Sequence, residues 1–318
     1  MKSEATVGIE PTMGVLQTPA LATWLRRLGG QSREPQLTDS GRRRRRGREA
    51  TYGADRLNKF TDLARLGRRP AYSASVIPIG DDDPTPGLPI VNLVIIAINV
   101  LVFIFLQLPS DAFTMGFSVI PKEITHGIDL VGPVQIQLPD GPVVIDEAPG
   151  PSPIWLTLFT SMFMHGGWAH LGGNMLFLFV FGDNVERALG HLKYLAFYLV
   201  CGVIAAYAQI LSGPESVIPS LGASGAISGA LAAYLVFFPK NRVRVLVGFR
   251  FMTEVPALLM IGLWALLQFV SGIGSIAVTA QTGGVAYWAH IGGIIAGLVL
   301  AFLLRPFANT GPRARLAV

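Results

Sequence analysis

Charged side chains are scarce in this chain of 318 residues: only 14% are Asp, Glu, Lys or Arg, whereas 51% are hydrophobic. Soluble domains carry about 25% charged residues, so the composition argues against a soluble globular protein. The apolar residues occur in blocks of membrane-spanning length rather than in alternating or amphipathic patterns. The sequence therefore predicts a polytopic membrane protein.

Cysteine is almost absent, since Cys201 is the only one and it lies inside an apolar run. A single cysteine excludes an intramolecular disulfide and makes a cysteine-based metal site implausible. No other pattern in the sequence indicates a metal ion or a cofactor, and we expect neither.

The amino-terminal part lacks the apolar core of a signal peptide and is polar and rich in arginine. We interpret residues 1–76 as a basic, disordered cytoplasmic extension. The run GRRRRRGRE leaves open a patch for nucleic acid or anionic lipid. A third interpretation is that the start codon lies downstream, because VGIEPTMGVLQTPALATWLRR resembles a translated tRNA gene. We expect no nucleic-acid partner and assign this part no function.

Six apolar segments after the acidic, Pro- and Gly-punctuated boundary at Ile77–Pro89 are long enough to be helices that span a bilayer. They run approximately over Pro89–Leu108, Gly167–Val185, Leu192–Leu211, 221–238, Val255–Ile273 and Tyr287–Leu304. The predicted fold is an all-α membrane protein with a six-helix domain over residues 77–305 and a cytoplasmic tail over 306–318.

Loop charges orient this bundle by the positive-inside rule. The segment before the first span, the second-to-third and fourth-to-fifth loops and the tail are basic, whereas residues 109–152 are acidic. This alternation predicts a multi-pass protein of the cell membrane with both termini cytoplasmic. Within the external part, IWLTLFTSMFMH is too short to span and is interpreted as an interfacial helix.

Four polar residues fall near the external ends of three predicted helices that run in the same direction. Ser224 begins the fourth span, His290 begins the sixth, and His170 and Asn174 lie in the first two turns of the second. Each alone has a simpler explanation, such as packing for the serine or a bond between helices for the others. Their common depth favours a site.

Glycines spaced by four residues would bring two of these helices together. Gly225 and Gly229 lie on the fourth helix, and Gly293 and Gly297 lie on the sixth. If these faces meet, Ser224 and His290 come within hydrogen-bond reach as a nucleophile and its base.

An oxyanion could be stabilised by the backbone N–H of Ser224 at its helix N-terminus. His170 and Asn174, four residues apart and so on one helix face, are candidate donors from side chains. No Asp or Glu occurs at this depth, so the sequence predicts a dyad whose histidine is oriented by packing or by hydroxyl groups.

Two of these segments resemble motifs of the rhomboid intramembrane serine proteases. GASG (Gly222–Gly225) resembles the nucleophile motif G-x-S-G of the family and implies that Ser224 is the nucleophile. AHIGGIIAG (Ala289–Gly297) resembles the motif A-H-x-x-G-x-x-x-G of the sixth helix and implies that His290 is the general base.

Two further segments resemble the second helix of that family. HGGWAHLGGN (His165–Asn174) is similar to H-x-x-x-x-H-x-x-x-N, which implies oxyanion-hole roles for His170 and Asn174 and a supporting place for His165 near the site. FGDNVE (Phe181–Glu186) resembles G-x-x-x-E, a structural position. The resemblance covers about residues 77–305.

The resemblance implies an intramembrane serine endopeptidase. Such an enzyme would cleave helices of single-pass or polytopic membrane proteins in the lipid bilayer, near the external surface and through an acyl-enzyme. Two other classes remain open: a rhomboid-like protein that binds membrane clients without cutting them, and a small transporter or channel, for which polar groups are expected near mid-membrane.

One position departs from the pattern of the family. Some members have an aromatic residue one turn after the nucleophile, packed against the histidine, where this chain has Ser228. Ser228 is either a polar partner of His290 or a small residue that eases helix contact; we favour the second interpretation.

Overall fold

The computed structural model describes residues 76–82, 87–138, 141–247, 250–277 and 286–310. Most of the predicted basic extension, residues 1–75, and the end of the predicted tail lie outside these ranges. The expectations for both remain predictions.

The described residues form ten α-helices and five β-strands. The strands are β1 (Val76–Asp81), β2 (Gly132–Leu138), β3 (Gly141–Glu147), β4 (Arg242–Val247) and β5 (Phe251–Pro256). The helices are α1 (Ile90–Val102), α2 (Asp111–Phe117), α3 (Pro121–His126), α4 (Thr157–Thr160), α5 (Trp168–Phe177), α6 (Asp183–Leu189), α7 (His191–Ser212), α8 (Ser224–Phe237), α9 (Ala257–Ala277) and α10 (Tyr287–Leu304). Five-residue π-helical turns extend α1 and join α5 to α6, and short 3-10 turns flank α4 and follow α10.

The molecule is a mostly helical membrane protein. Three helical stretches of the described residues are long and apolar enough to cross a bilayer: Ile90–Gln107, His191–Ser212 and Tyr287–Phe307. The other predicted spans are also helical, but α8 and the apolar part of α9 are shorter, and the second span is divided between α5 and α6. The count of six spans stays a prediction.

The all-α expectation is confirmed only in part: the described residues are mostly helical, but β1, β4 and β5 form an antiparallel sheet in that order with β4 in the middle, and β2 pairs with β3 in a hairpin. The arginines of RVRVLV were predicted to be loop charges. They alternate with valines along β4. Val243 and Val245 are fully buried, the alternation expected of a strand with one face covered. Charge alone did not distinguish this strand from a loop.

The start of the acidic stretch at Ile77–Pro89 belongs to the folded body rather than to a boundary. Asp81, at the end of β1, is buried. Its carboxylate accepts hydrogen bonds from the Tyr234 hydroxyl (2.6 Å) and from Asn184 Nδ2 (2.8 Å). A buried carboxylate needs such partners, and these tie β1 to α6 and α8.

The carboxylate of Glu186 joins the first and second predicted spans. It accepts the backbone N–H groups of Val91 (3.0 Å) and Asn92 (2.7 Å), at the start of α1. The first N–H groups of a helix have no partner within it, and a negative charge there is favourable. Glu186 on α6 thus caps a helix distant in sequence, which gives a physical reason for an acid at this position.

Gly182, four residues earlier, has no room for a side chain. A Cβ on it would lie 2.2 Å from Asn92 Oδ1 and 2.8 Å from the Tyr194 hydroxyl. Those two groups are hydrogen-bonded to each other at 2.7 Å. The glycine therefore lets the second span approach this polar contact between α1 and α7.

Two buried carboxyl groups lie in the connection between α1 and α5. Glu123 on α3 accepts the Leu130 N–H at 2.8 Å. Glu147 ends β3 and has no hydrogen-bond partner for either carboxyl oxygen within the described residues. Burial raises the pKa of Glu147 to about 8, helped by the charge of Glu123, and burial raises the pKa of Glu123 to about 7.

We expect the stability of the protein to fall as pH rises from about 4.5 to about 8. In that window the folded state holds protons that the unfolded state has lost, and linkage then lowers the free energy of unfolding with increasing pH. Glu147→Gln should flatten this dependence and raise Tm at pH 8, measured by thermal unfolding in detergent. Asp146→Asn, an exposed neighbour on β3, is the control that should keep most of the slope. A wild-type Tm that is constant or rises over this window contradicts the prediction.

Candidate active site

The helices α8 and α10 pack backbone to backbone through their glycines. A Cβ on Gly293 would lie 2.0 Å from the Gly225 carbonyl oxygen, and one on Gly297 would lie 2.3 Å from that of Gly229. Small residues allow such an approach in a membrane, where close packing stabilises helix pairs. The two faces singled out in the sequence therefore meet.

This contact places Ser224 beside His290. Ser224 is the first residue of α8 and His290 lies in the first turn of α10. Ser224 Oγ and His290 Nε2 are 2.8 Å apart, a hydrogen-bond distance. The imidazole is almost fully buried, with 2% of its surface exposed. A serine and an imidazole far apart in sequence thus form one pair.

The other ring nitrogen of His290 contacts a residue that sequence reasoning missed. His290 Nδ1 lies 2.7 Å from Gln268 Oε1 on α9. An amide oxygen only accepts hydrogen bonds, so the proton of a neutral ring lies on Nδ1 and Nε2 is left to accept from Ser224. Trp264, one turn earlier on α9, packs its ring 5.8 Å from the imidazole, centroid to centroid. A lone glutamine in an apolar span was a signal available in the sequence.

His170 reaches the same place from α5. Its Nδ1 accepts the Gly166 N–H at 3.2 Å, so a neutral ring carries its proton on Nε2. A Cβ on Gly222 would lie 3.2 Å from that Nε2 and 3.6 Å from Ser224 Oγ. Gly222 also has φ of +137°, a conformation that favours glycine. Gly222 therefore allows His170 and Ser224 to lie on either side of one small gap.

Asn174, one turn after His170 on α5, and His165 are both buried. Asn174 Nδ2 has no hydrogen-bond partner among the described residues, and neither do the ring nitrogens of His165. The His165 ring packs edge-on against that of His170, 5.1 Å between centroids. Its backbone N–H and C=O are held by Gln107 at 2.8 and 3.1 Å. His165 thus supports the position of His170.

Ser228 does not contact His290 through its hydroxyl. Its Oγ donates to the Ser224 carbonyl oxygen at 2.6 Å, within α8, and the residue is fully buried. Serine in a helix satisfies its hydroxyl in this way. Its Cβ also lies 3.1 Å from the place that a Gly293 side chain would take. This geometry favours the interpretation of Ser228 as a small packing residue.

A small cavity of about 30 Å³ adjoins Ser224, with room for about two water molecules. Ser224, Gly225, Ser161, Met162 and Ala289 are among its lining residues. A hydroxyl bonded to an imidazole, next to buried N–H donors and a water-sized space, provides what acyl transfer requires.

Comparison with known proteins relates this arrangement to a family. The Rhomboid domain model matches residues 153–307, a range that contains all the residues of the site. The chain is 34% identical over 152 residues to Rhomboid protease GluP of Bacillus subtilis, covering 47% of this chain and 26% of that protein. It is 30% identical over 167 residues to Rhomboid protease AarA of Providencia stuartii, covering 48% and 57%. It is 31% identical over 164 residues to the chloroplastic Rhomboid-like protein 11 of Arabidopsis thaliana, covering 49% and 55%.

In these three relatives the match spans between about a quarter and somewhat over half of the length of the relative. The range that the Rhomboid domain model matches includes α5, α8 and α10, the helices that carry His170, Asn174, Ser224 and His290. Residues 153–307, about half of the chain, match the Rhomboid domain, and over this part the chain is similar to rhomboid proteases.

Proposed function

We propose that the protein is an intramembrane serine endopeptidase that cleaves membrane-anchored proteins. The observation that carries this proposal is the 2.8 Å contact between Ser224 Oγ and His290 Nε2. Two relatives, GluP and AarA, bear the name rhomboid protease. A transporter would not require a serine that is hydrogen-bonded to a histidine at one end of the bundle.

In the first half of the reaction, Ser224 Oγ attacks the scissile carbonyl carbon while His290 Nε2 takes the hydroxyl proton. The carbonyl oxygen becomes an oxyanion. His170 Nε2–H, Asn174 Nδ2–H and the Ser224 backbone N–H at the start of α8 are the donors that stabilise it. His290 then gives its proton to the leaving nitrogen, the C–N bond breaks, and an ester to Ser224 remains.

The second half needs water. His290 takes a proton from a water molecule, whose oxygen attacks the ester carbon. The tetrahedral intermediate collapses, the Ser224 oxygen leaves and takes the proton from His290, and a carboxylic acid is released. The cavity beside Ser224 supports this step, because hydrocarbon alone would exclude the water that hydrolysis consumes.

The substrate is a single-pass or polytopic membrane protein. A hydrogen-bonded helix shields its carbonyl groups, so we propose cleavage at an unwound segment near the external membrane surface. The position of Ser224 at the beginning of α8 supports a shallow site. The predicted orientation, with both termini cytoplasmic and the site facing outwards, belongs to this proposal, as does the cell membrane as its location.

A fluorophosphonate probe tests the proposal, because it modifies only an activated serine. We expect purified full-length protein in detergent to form one adduct, which peptide mass spectrometry places on Ser224. The adduct should be lost in Ser224→Ala and kept in Ser228→Ala, a matched removal of the hydroxyl one turn deeper on the same helix. Well-folded wild type that forms no adduct, or an adduct that persists in Ser224→Ala, would overturn the proposal and favour a client-binding protein.

A further inference from the structure

We propose that Gln268 is a positioning residue, which holds the His290 imidazole in the tautomer and orientation that Ser224 requires. This inference rests on the proposed function and adds to it a third side chain, supplied by α9. Neither the nucleophile motif nor the histidine motif contains this residue.

The first support is the geometry around the ring. The Nδ1 to Oε1 distance of 2.7 Å and the Nε2 to Oγ distance of 2.8 Å place His290 between two partners. Gln268 is itself buried, with 8% of its surface exposed. If the Nδ1 proton moved to Nε2, the ring would present N–H to the hydroxyl that it must deprotonate. The amide oxygen disfavours that arrangement, since it would lose its donor in a buried place.

The second support is what the site lacks. Within the described residues no carboxylate contacts His290, and Ser228 turns its hydroxyl to its own helix. Trp264 covers part of the ring, but its indole N–H has no hydrogen-bond partner in the described part of the chain. An unassisted imidazole could rotate or change tautomer. Gln268 supplies the orientation that an acid gives in a triad.

The choice of an amide rather than an acid follows from the surroundings. A carboxylate in the apolar part of α9 would be costly to bury, whereas a neutral amide costs less and still offers an acceptor oxygen. The dyad thus gains an orienting group without a buried charge.

Because Gln268 lies on α9, its contact with His290 depends on where this helix is placed. Ser224, His290 and Gln268 lie on three different helices. The tautomer and orientation of His290 therefore depend on how α9 packs against α10. The opposite side of α9 is exposed: Leu259, Leu263, Leu266 and Val270 are all more than half exposed. Tilting of this helix away from the bundle would therefore withdraw the acceptor from Nδ1.

The test compares fluorophosphonate labelling rates of full-length wild type, Gln268→Leu and Gln268→Glu in detergent. Leucine has a volume similar to that of glutamine but no hydrogen-bond acceptor. We expect labelling of Gln268→Leu to slow by about 10- to 100-fold, because a general base contributes about 10²–10⁴-fold and a misoriented His290 would lose part of that contribution. Glutamate keeps an oxygen at the same place and should restore the rate to within about tenfold of wild type. With a membrane substrate, the loss should fall on kcat rather than KM, because Gln268 contacts the base and not the substrate.

Gln209→Leu is the matched control. Like Gln268, Gln209 on α7 accepts a hydrogen bond from α10 through its Oε1. The donor is the backbone N–H of Ala289, the residue directly before His290, at 3.3 Å. The substitution removes one glutamine bond to α10 without touching the imidazole. We expect a change in Tm similar to that of Gln268→Leu, with labelling near the wild-type rate.

A spectroscopic measurement keeps the test independent of activity, and its result for wild type does not depend on how well the variants fold. In protein with ¹⁵N-labelled histidine, the His290 signals are identified by their loss in His290→Ala. We expect wild type to show the Nδ1–H tautomer, and Gln268→Leu to show a mixture. A wild-type ring in the Nε2–H tautomer overturns the proposal, as does Gln268→Leu with wild-type tautomer and rate. Wild type that never labels rejects the proposed protease activity instead.

Discussion

Alanine at Ser224 or at His290 is expected to reduce the cleavage of a transmembrane substrate by about a thousandfold or more, or about 4 kcal/mol of transition-state stabilisation. The two residues are joined by a 2.8 Å hydrogen bond and act on the same proton. Without the hydroxyl no acyl-enzyme forms, and without the imidazole the hydroxyl keeps its proton. We expect the double variant to be about as slow as either single variant, because residues that act as one unit give non-additive losses.

The measurement is kcat and KM for a single-pass substrate in proteoliposomes, with wild type, both single variants and the double variant. Ser228→Ala is the control, since its hydroxyl is bonded within α8 to the Ser224 carbonyl oxygen and contacts neither reacting side chain; we expect it to stay within about threefold of wild type, the loss of one hydrogen bond. Losses that add between Ser224→Ala and His290→Ala would show that the residues act independently. Residual cleavage in Ser224→Ala comparable to wild type would assign the chemistry to another nucleophile.

The proximity of Ser224, His290 and His170 was predictable from sequence, because it follows from the predicted limits and directions of their helices. Span length and loop charge predict the direction of each helix, and the place of Ser224, His290 and His170 in the first turn of their helices then predicts that they lie together. The glycine spacing of four residues indicated which faces of α8 and α10 meet, since small residues have a recognised packing use in membranes. These inferences need no knowledge of how each helix is rotated about its axis.

The sequence could not show how each helix is rotated about its own axis, and therefore which neighbour each side chain faces. Gln268 was visible as a lone amide in an apolar span, but whether it faces lipid or His290 depends on the packing of α9. Glu186 likewise caps α1 across 94 positions of sequence. The sheet was missed for a different reason: the alternation of RVRVLV was visible in the sequence, but its charges were assigned to a loop, and the pairing of Val76 with Val247 across β1 and β4 could not be read from either segment alone. When a single polar residue such as Gln268 or Glu186 has a partner that is distant in the chain, no local sequence pattern predicts that partner.

Alanine at Gly293 is expected to disrupt both the fold and the site. The added Cβ would lie 2.0 Å from the Gly225 carbonyl oxygen, and this neighbour is backbone that cannot rotate away. Real Cβ contacts essentially never fall below 3.0 Å, so α8 and α10 must separate by at least about 1 Å. Overpacking of this kind costs about 1–3 kcal/mol. A displacement of about 1 Å between reacting groups can slow catalysis about a hundredfold, and Gly293 lies less than one turn from His290.

Gly262→Ala provides the matched control, because a Cβ at this position on α9 meets nothing within 4 Å. There the substitution only improves helix preference, by about 0.5–1 kcal/mol, so Tm should stay equal or rise and cleavage should persist. Gly293→Ala should lower Tm and slow fluorophosphonate labelling of Ser224 together, since one separation of the helices causes both effects. A variant that unfolds at lower temperature yet labels at the wild-type rate would show that α8 and α10 can part without moving Ser224 from His290. The backbone contact would then stabilise the fold alone, and the geometry of the pair would have to depend on α9 and its Gln268.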